Sequence, residues 1–217
     1  MAAQTTKDRI LKAAENLFAE SGFSGTSLRQ LTQEANVNLA AVNYHFGSKE
    51  NLILEVFRRH LDGLYRRREE ALDEVERVSG GQPELRDVLE AFVYPAMAVG
   101  FDSSDTESPF VKVLARAFVE YRDELRQFLS DHYGEINRRF FQGIARHLTH
   151  LDPEEAYARL DFMIGALTYA MADFGVFKRP PDLPPDEYWR AKAERLVIFA
   201  EAGLKAPAAR LESPLPA

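Results

Sequence analysis

The chain contains no cysteine, which excludes disulfide bonds and thiolate metal sites. This absence is typical of a reducing compartment, so we expect the protein to be cytoplasmic. Long hydrophobic runs are also missing: the apolar stretches Ala91–Phe101 and Phe162–Ala172 have 11 residues each, whereas a membrane-spanning helix needs about 20. The N-terminus reads as the start of an amphipathic helix rather than as a secretory signal. The sequence therefore predicts a soluble protein that crosses no membrane.

Positive charge is scarce for a protein that binds nucleic acid. The formal net charge is −7, and phosphate contacts need Lys, Arg or oriented N–H groups. The acidity is unevenly distributed, however. Residues 1–72 hold ten Lys and Arg against nine Asp and Glu, and residues 73–217 hold 17 against 25. A DNA-binding segment can therefore lie in the first third of the chain, with modest non-specific affinity.

Signatures of catalysis and of cofactor binding are missing too. The sequence has no P-loop, no dinucleotide fingerprint and no G-x-S-x-G motif, and the near miss at Gly22–Thr26 reads as a turn. His147 and His150 lie three residues apart with Asp152 nearby, an arrangement that favours a solvated helix end over a metal site. We therefore expect a protein that is not an enzyme and that uses neither a cofactor nor a metal.

The clearest structural signal is the stretch 26–50, which predicts two short helices joined by a turn. Ser27 stands three residues before Gln30, the spacing of a capping box in which hydroxyl and amide each satisfy a backbone N–H. Asn38 follows the turn and can cap a second helix over 39–46, with Val42 and Phe46 on its buried face. Two short helices around a tight turn form a helix-turn-helix, which lays its second helix in the major groove of DNA.

The rest of the chain is helical in pattern almost throughout. A long helix over 49–78 would extend for about 45 Å and could join two domains, with Arg66, Arg67 and Arg68 on its solvated side. No alternating strand pattern is present, so the predicted fold class is all-α. The other helices are expected at about 6–21, 83–100, 108–119, 121–148, 153–177 and 186–204.

Residues about 7–55 resemble the TetR family of bacterial transcriptional regulators. The resemblance rests on AAENLFAESGF and on TSLRQLTQEANVNLAAVNYHFGSKENL, of which YHFGSKENL is the most specific part. The block NLAAVNYHFGSKE is also similar to the PsrA-like, fatty-acid-responsive branch. The resemblance implies an N-terminal three-helix DNA-binding domain at 1–50 with its helix-turn-helix at about 27–46. It further implies a larger helical ligand-binding and dimerisation domain at 51–206, followed by a flexible tail at 207–217.

The resemblance also implies which side chains meet DNA. They lie on or beside the recognition helix, which is the second helix of the motif, and at the starts of the helices that flank it. Ser27, Arg29 and Lys49 would lie near phosphate. The full set is Ser27, Arg29, Asn38, Leu39, Ala40, Ala41, Asn43, Tyr44, His45 and Lys49.

The residue types in this set suit DNA binding, although each has a simpler interpretation. Asn38 and Asn43 each present a donor and an acceptor, which can pair with adenine, yet Asn38 can serve as a helix cap alone. The Tyr44 hydroxyl can reach a phosphate, or its ring can be merely half-buried. Arg29 and Lys49 can be no more than solvated charges. Ala40 and Ala41 can offer only apolar or close-backbone contacts, such as to a thymine methyl, so base reading would fall mainly on the two asparagines.

The second half of the chain is rich in Phe, Met and Tyr. Such residues build helical cores, and packing explains most of them, but they also give adaptable walls for an apolar ligand. Arg116 could face an acidic ligand head group or lie on the surface. The candidates for a ligand pocket are Phe92, Met97, Phe101, Phe110, Arg116, Phe118, Phe141, Met163, Tyr169 and Phe174.

By the same resemblance, the last two helices would form a two-fold dimer seam through Gly165, Ala166, Ala170, Leu196, Val197 and Phe199. The expected function is a homodimeric repressor that a small apolar ligand, such as a fatty acid or acyl-CoA, releases from a palindromic double-stranded DNA operator. Two alternatives stay open. The ligand could instead strengthen DNA binding, or the chain could be a small-molecule-binding helical protein that has lost DNA binding.

Overall fold

The computed structural model describes residues 5–100, 109–172 and 184–208, which form nine α-helices and no β-strand. The predicted all-α fold is confirmed, and every helix starts within two residues of its expected position. No helix in these ranges is long and apolar enough to cross a membrane. The helices are α1 (Thr6–Gly25), α2 (Leu28–Glu34), α3 (Leu39–Phe46), α4 (Lys49–Val78), α5 (Leu85–Gly100), α6 (Pro109–Glu120), α7 (Arg122–Ala145), α8 (Pro153–Ala172) and α9 (Pro185–Lys205).

The predicted helix caps are present around α3. The Ser27 hydroxyl accepts the Gln30 N–H at 3.2 Å, and the Gln30 side-chain oxygen accepts the Ser27 N–H at 2.9 Å, which completes the capping box of α2. The Asn38 side-chain oxygen accepts the Ala41 N–H at 2.8 Å and starts α3. Ser48 caps α4 in the same way. Short local rules therefore fix where α2, α3 and α4 begin.

Helix α1 changes direction at Gly22, four residues before Thr26 caps its end. Gly22 has a φ of 74° and a ψ of 174°, a conformation that glycine adopts without a steric penalty. The Thr26 hydroxyl donates to the Gly22 carbonyl at 2.8 Å and braces the kink. The change of direction turns Phe23 into the core, where its side chain is buried.

The first three helices enclose a core that continues without a break into the first turns of α4. The predicted buried face of α3, formed by Val42 and Phe46, is confirmed. The buried residues shared by α1 to α4 are Ile10, Ala14, Phe18, Leu31, Val42, Phe46, Leu52 and Ile53. Polar pairs also join α1 to α4, namely Lys7–Glu55 at 3.0 Å, Asp8–Arg59 at 3.6 Å and Glu15–His60 at 3.0 Å. The three-helix head is thus attached firmly to the long helix.

The second half of the chain is assembled around α5, which contacts α4, α7, α8 and α9. Helix α6 lies between this assembly and the head, because it packs against α1 on one side and α8 on the other. A change in the position of α6 would therefore alter packing contacts in both halves of the molecule.

The expectation for Arg68 is wrong, because this residue of α4 is buried rather than solvated. Its guanidinium lies 3.7 Å from the ring centroid of Phe92 on α5, and its Nε donates to the Phe92 carbonyl at 3.0 Å. Burial lowers the pKa of Arg68 to about 10, so the side chain keeps its charge at neutral pH. Helical spacing alone could not reveal this, since the aromatic partner lies on another helix.

Replacing Gly22 by Ala is expected to lower the free energy of unfolding by about 2 kcal/mol, because residues with a Cβ rarely adopt its backbone conformation. The added Cβ would also lie 2.6 Å from a carboxylate oxygen of Glu120 on α6. Urea unfolding followed by circular dichroism measures the loss. Gly63→Ala in α4 is the matched control, since no heavy atom lies within 4 Å of its added Cβ and Ala favours a helix over Gly. Equal stability of the two variants would contradict the role assigned to the kink.

Candidate DNA-binding surface and ligand cavity

Helix α3 turns one side to the core and the other to solvent, as an i, i+4 apolar pair requires. Val42 and Phe46 are 2% and 5% exposed, whereas Tyr44 is 86% exposed. The other candidates on or beside this helix are exposed too, apart from the half-buried Ala41. They are Asn38, Leu39, Ala40, Asn43 and His45. The polar side of α3 therefore projects from the head and is accessible to a groove of DNA.

The start of α2 lies on the surface beside this helix. Ser27 and Arg29 are both exposed. The Ser27 hydroxyl is engaged within the capping box, where it also donates to the Gln30 side chain at 2.7 Å. The Arg29 guanidinium forms no hydrogen bond or ion pair with any residue in the described part of the chain, so it is available to a phosphate.

Lys49 has a partner inside the protein that the sequence did not predict. Its ammonium group donates to the carbonyl of Phe23 at 2.5 Å, and the side chain is partly buried. Lys49 thus ties the start of α4 to the end of α1. A phosphate contact from Lys49 would have to share this ammonium group with the carbonyl or replace the carbonyl.

Sequence reasoning missed a contact that fixes the turn between α2 and α3. Asn36 has a positive φ of 50°, and its carbonyl accepts a hydrogen bond from Arg9 of α1 at 3.3 Å. Arg9 also lines a small polar recess with Thr6 and Asn38 beside the start of α3. The sequence Asn36-Val37-Asn38 predicted the turn, but no nearby residue indicated that Arg9 of α1 would bind its backbone.

A cavity of about 1020 Å³ lies between α7 and α8. Both helices contribute residues spaced by three and four along one face, so two facing stripes form its walls. The floor is apolar and includes Leu125, Leu129, Phe141, Leu160 and Ile164. Phe118 of α6 also lines the cavity, as do Leu148 and Leu151 at the hairpin between α7 and α8. The cavity suits a ligand with an extended apolar part.

Charged side chains around the cavity are mostly positive. Arg122 and Arg126 lie at the N-terminal end of α7, and Arg138 lies further along the same helix. Asp161 on α8 is the acidic residue among the lining residues. Arg122 is 3.8 Å from the exposed Asp123, and Arg138 pairs with Glu135. Arg126 has no ion-pair partner among the described residues. One end of the cavity therefore combines an uncompensated cation with an apolar floor.

Only some of the predicted pocket residues line the cavity. Phe118 and Phe141 line the cavity. Phe92, Met97, Phe110 and Met163 are buried in the packed core and do not line it. Tyr169 is half-exposed on α8 and is not part of the lining either. Phe101 and Phe174 lie outside the described residues. Most of the predicted aromatic and Met residues in the described ranges therefore pack in the core. The cavity is lined largely by Leu, Ile, Ala and long polar side chains.

Arg116, considered either as a contact for a ligand head group or as a surface residue, does not line the cavity. Its Nε donates to the Ala19 carbonyl at 3.1 Å, and one of its Nη atoms donates to the Glu20 carbonyl at 2.9 Å. Arg116 therefore satisfies carbonyls near the C-terminal end of α1, where the helix dipole attracts a cation. The residue lies on α6 but serves the head rather than the cavity.

The predicted dimer seam requires a correction in its details. Ala170, Leu196 and Val197 are buried within the protomer, so they cannot face a partner. Phe199 is 68% exposed, and Phe162 and Ile198 are also exposed although they were not predicted. Helices α8 and α9 pack against each other. Exposed apolar side chains therefore lie on both helices, with Phe162 on α8 and with Ile198 and Phe199 on α9.

The histidines considered as metal ligands contact backbone carbonyls instead. His147 Nε2 is 3.0 Å from the Pro83 carbonyl, and His150 Nε2 is 3.1 Å from the Ala206 carbonyl. No group of three or more His, Asp or Glu side chains in the described ranges is arranged to hold a metal ion. These histidines attach the hairpin between α7 and α8 to neighbouring segments.

Comparison with known proteins gives two family matches and several relatives. The family model "Tetracyclin repressor-like, C-terminal domain" matches residues 90–203, and "Bacterial regulatory proteins, tetR family" matches residues 10–56. The chain is 26% identical over 138 residues to the HTH-type transcriptional repressor KstR2 of Rhodococcus jostii (strain RHA1), covering 62% of this chain and 59% of that protein. It is 41% identical over 61 residues to the HTH-type transcriptional regulator RutR of Escherichia coli (strain K12), covering 28% and 29%. Each alignment covers less than two thirds of the relative.

Solved structures share the fold at low sequence identity. A tetR family transcription regulator from Shewanella sp. PV-4 matches with a TM-score of 0.60 and 21% identity, over 92% of this chain and 96% of that one. The TetR family regulator PfmR from Thermus thermophilus matches with a TM-score of 0.55 and 24% identity, over 94% and 100%. Since one family model accounts for the helix-turn-helix head and the other for more than half of the chain, the protein belongs to the TetR family of bacterial transcription regulators, which are not enzymes.

Proposed function

We propose that the protein is a transcriptional repressor that binds DNA as a homodimer and is released from it by an apolar ligand with an acidic group. The observation that carries this proposal is the exposed polar side of α3 on a head whose core continues directly into α4. A head built in this way can present Asn43 and Tyr44 to DNA and can also move together with the long helix. The division into a DNA-binding domain at 1–50 and a ligand-binding and dimerisation domain at 51–206 is part of the proposal.

Dimerisation would pair the exposed apolar side chains of α8 and α9 with the same side chains of a second copy. Phe162 and Phe199 are 73% and 68% exposed, and burying such side chains stabilises an interface in proportion to the apolar area removed from water. A two-fold dimer presents two recognition helices to successive major grooves, about 34–36 Å apart. The matching DNA target is a near-palindromic operator.

The ligand would lie in the cavity between α7 and α8. Leu125, Phe141 and Leu160 would contact its apolar part, and Arg122 and Arg126 would receive its acidic group. A fatty acid or an acyl-CoA has this combination of a long apolar chain and an anionic group. The ligand would act as a releasing signal if it binds more tightly to the conformation in which α4 carries the head away from the DNA, because only such a difference in affinity shifts the population.

The proposal is tested by selecting duplexes from a random library with the purified protein, followed by gel-shift titration at low salt. Enrichment of an inverted repeat, and a loss of the shift on adding palmitate, are the expected results. A stronger shift with palmitate would show that the ligand acts as a co-repressor. Binding of palmitate without any enrichment of DNA would indicate a ligand-binding protein that has lost DNA recognition.

Asn43→Ala and Tyr44→Phe are expected to weaken binding to the selected duplex in different ways. Loss of the Asn43 amide should relax preference at one or two base pairs, at a cost of about 1–3 kcal/mol per position. Loss of the Tyr44 hydroxyl should weaken binding to all sequences by a similar factor, since a phosphate contact carries no sequence information. Fluorescence anisotropy with single-base variants of the duplex separates the two effects. Tyr157→Phe, at an exposed tyrosine on α8, is the control, and a loss of binding as large as that of Tyr44→Phe would refute the contact.

Arg29→Ala is expected to lower the slope of log Kd against log salt by about 1, as the removal of one phosphate contact does. The matched control is Arg66→Ala, at an exposed arginine of α4 outside the proposed DNA-binding surface. The slopes are measured by anisotropy between about 50 and 200 mM salt, the range over which phosphate contacts lose most of their affinity. An unchanged slope in both variants would place Arg29 outside the interface.

The double substitution Arg122→Gln/Arg126→Gln is expected to weaken carboxylate binding about tenfold, because a charged hydrogen bond contributes roughly 1.5–3 kcal/mol. The environment-sensitive anion 1-anilinonaphthalene-8-sulfonate serves as the probe, displaced by decanoate in one series and by decylamine in another. Decanoate should need about tenfold more ligand to displace the probe, whereas the effect of decylamine should not change. In Arg66→Gln both ligands should displace the probe as they do in the unchanged protein. Equal losses for the acid and the amine would show that the arginines do not select an anionic group.

A further inference from the structure

The ends of α1 and α6 are joined by a cluster of polar contacts that lies between the head and the cavity. Arg116 donates to the carbonyls of Ala19 and Glu20, and Glu120 accepts the N–H of Phe23 at 3.0 Å. A weaker contact of 3.4 Å links Arg116 to Glu120. These two side chains of α6 therefore bind the α1 terminus both before and after its kink. We call this set of contacts the clasp.

The kink at Gly22 leaves the space that the clasp occupies. A Cβ at this position would lie 2.6 and 2.9 Å from the two carboxylate oxygens of Glu120 and 3.1 Å from an Nη atom of Arg116. The positive φ also directs the Phe23 N–H away from the helix and toward Glu120. A carboxylate that accepts a backbone N–H forms a strong and directional contact. The geometry of α1 and the side chains of α6 thus fit each other closely.

The same short segment that carries the clasp also contributes to the wall of the cavity. Phe118 lines the cavity two residues before Glu120, and Arg122 lines it two residues after. Between them, the Tyr121 ring packs against the Phe23 ring with 5.5 Å between centroids. The segment 118–122 therefore has side chains that face the cavity and side chains that face the head. A ligand that displaces this segment through contacts with Phe118 or Arg122 would also move Glu120.

We propose that Arg116 and Glu120 are positioning residues that transmit occupancy of the cavity to the DNA-binding head through the end of α1. This inference rests on the proposed function, since it assumes that the cavity binds the ligand and that α3 binds DNA. Motion of α6 changes the hydrogen bonds to Glu20 and Phe23. The carbonyl of Phe23 passes the change to Lys49 at the start of α4. The end of α1 is thus contacted by both α4 and α6, and α6 can change the position of this end.

Reciprocity provides a test that does not require the natural ligand, because a cavity that changes DNA affinity must itself respond to DNA. The chain lacks cysteine, so Ser130→Cys in the cavity wall gives a single position for the fluorophore acrylodan. The selected duplex is added until anisotropy of the labelled DNA shows saturation. In the otherwise unchanged protein, we expect the acrylodan emission to shift on saturation.

Glu120→Ala and Arg116→Ala are expected to remove most of this emission shift at saturating DNA, and Glu120→Gln should restore at least half of it. The restoration follows because the Gln oxygen can still accept the Phe23 N–H, although it no longer pairs with Arg116. The control is Glu74→Ala, which removes the exposed Glu74–Arg77 pair at the end of α4. A full shift in both alanine variants would overturn the inference, and so would an unchanged emission in the parent protein that anisotropy shows to be DNA-bound.

A second measurement separates failure of the clasp from failure of the proposed function. Hydrogen exchange of the peptide that contains Phe23 is followed with and without saturating 1-anilinonaphthalene-8-sulfonate, in the absence of DNA. A change of about threefold or more in its exchange rate is expected in the parent protein, and less than a third of that change in Glu120→Ala. If no duplex is ever bound but this exchange response is present, the clasp is supported and the repressor function fails. If duplexes are bound but neither response occurs, the clasp alone is refuted.

Discussion

The packing of Phe23 is the constraint on which the arrangement of the head and the second half of the chain depends. Its ring lies among Phe18, Phe57 and Tyr121, with centroids 5.3, 6.2 and 5.5 Å away. Its N–H is bound by Glu120 of α6 and its carbonyl by Lys49 of α4. One residue is thus held through its side chain and through both of its backbone groups. The apolar contacts supply most of the burial, whereas the hydrogen bonds fix the direction in which α1 leaves the core.

The helices of the head could be predicted well because their signals are local. Ser27, Asn38 and Ser48 each satisfy a backbone N–H within three residues of themselves, so the starts of α2, α3 and α4 can be read from short stretches of sequence. The apolar spacing of Val42 and Phe46 likewise determines which side of α3 is buried. The candidates for DNA contact on that helix came from the family resemblance instead, and most of them lie on its exposed side.

The contacts in the second half of the chain were harder to predict, because they join residues that are far apart in the sequence. Arg68 was expected in solvent but stacks on Phe92. Arg116 was considered as a ligand contact or a surface residue, but it binds α1 at a carbonyl 96 residues away in the chain. The aromatic residues chosen for the pocket mostly fill the core. The cavity is lined instead by a stripe on α7 that contains Leu, Arg, Ser and Gln, which looks like an ordinary partly exposed helix face. The spacing of these residues in the sequence is the same whether that face of α7 lines a cavity or faces water.

Cap geometry at the recognition helix has a consequence for how a base sequence could be read. The side-chain oxygen of Asn38 is committed to the Ala41 N–H, which leaves its NH₂ group as the part that can turn outward. A two-point match to adenine requires a free acceptor as well as a free donor. In the proposed complex with DNA, Asn38 would be suited to donate to a guanine edge or a phosphate. The amide of Asn43 has no hydrogen-bond partner among the described residues, so Asn43 would be better suited to match adenine. The two asparagines, chemically identical, are made unequal by a single hydrogen bond.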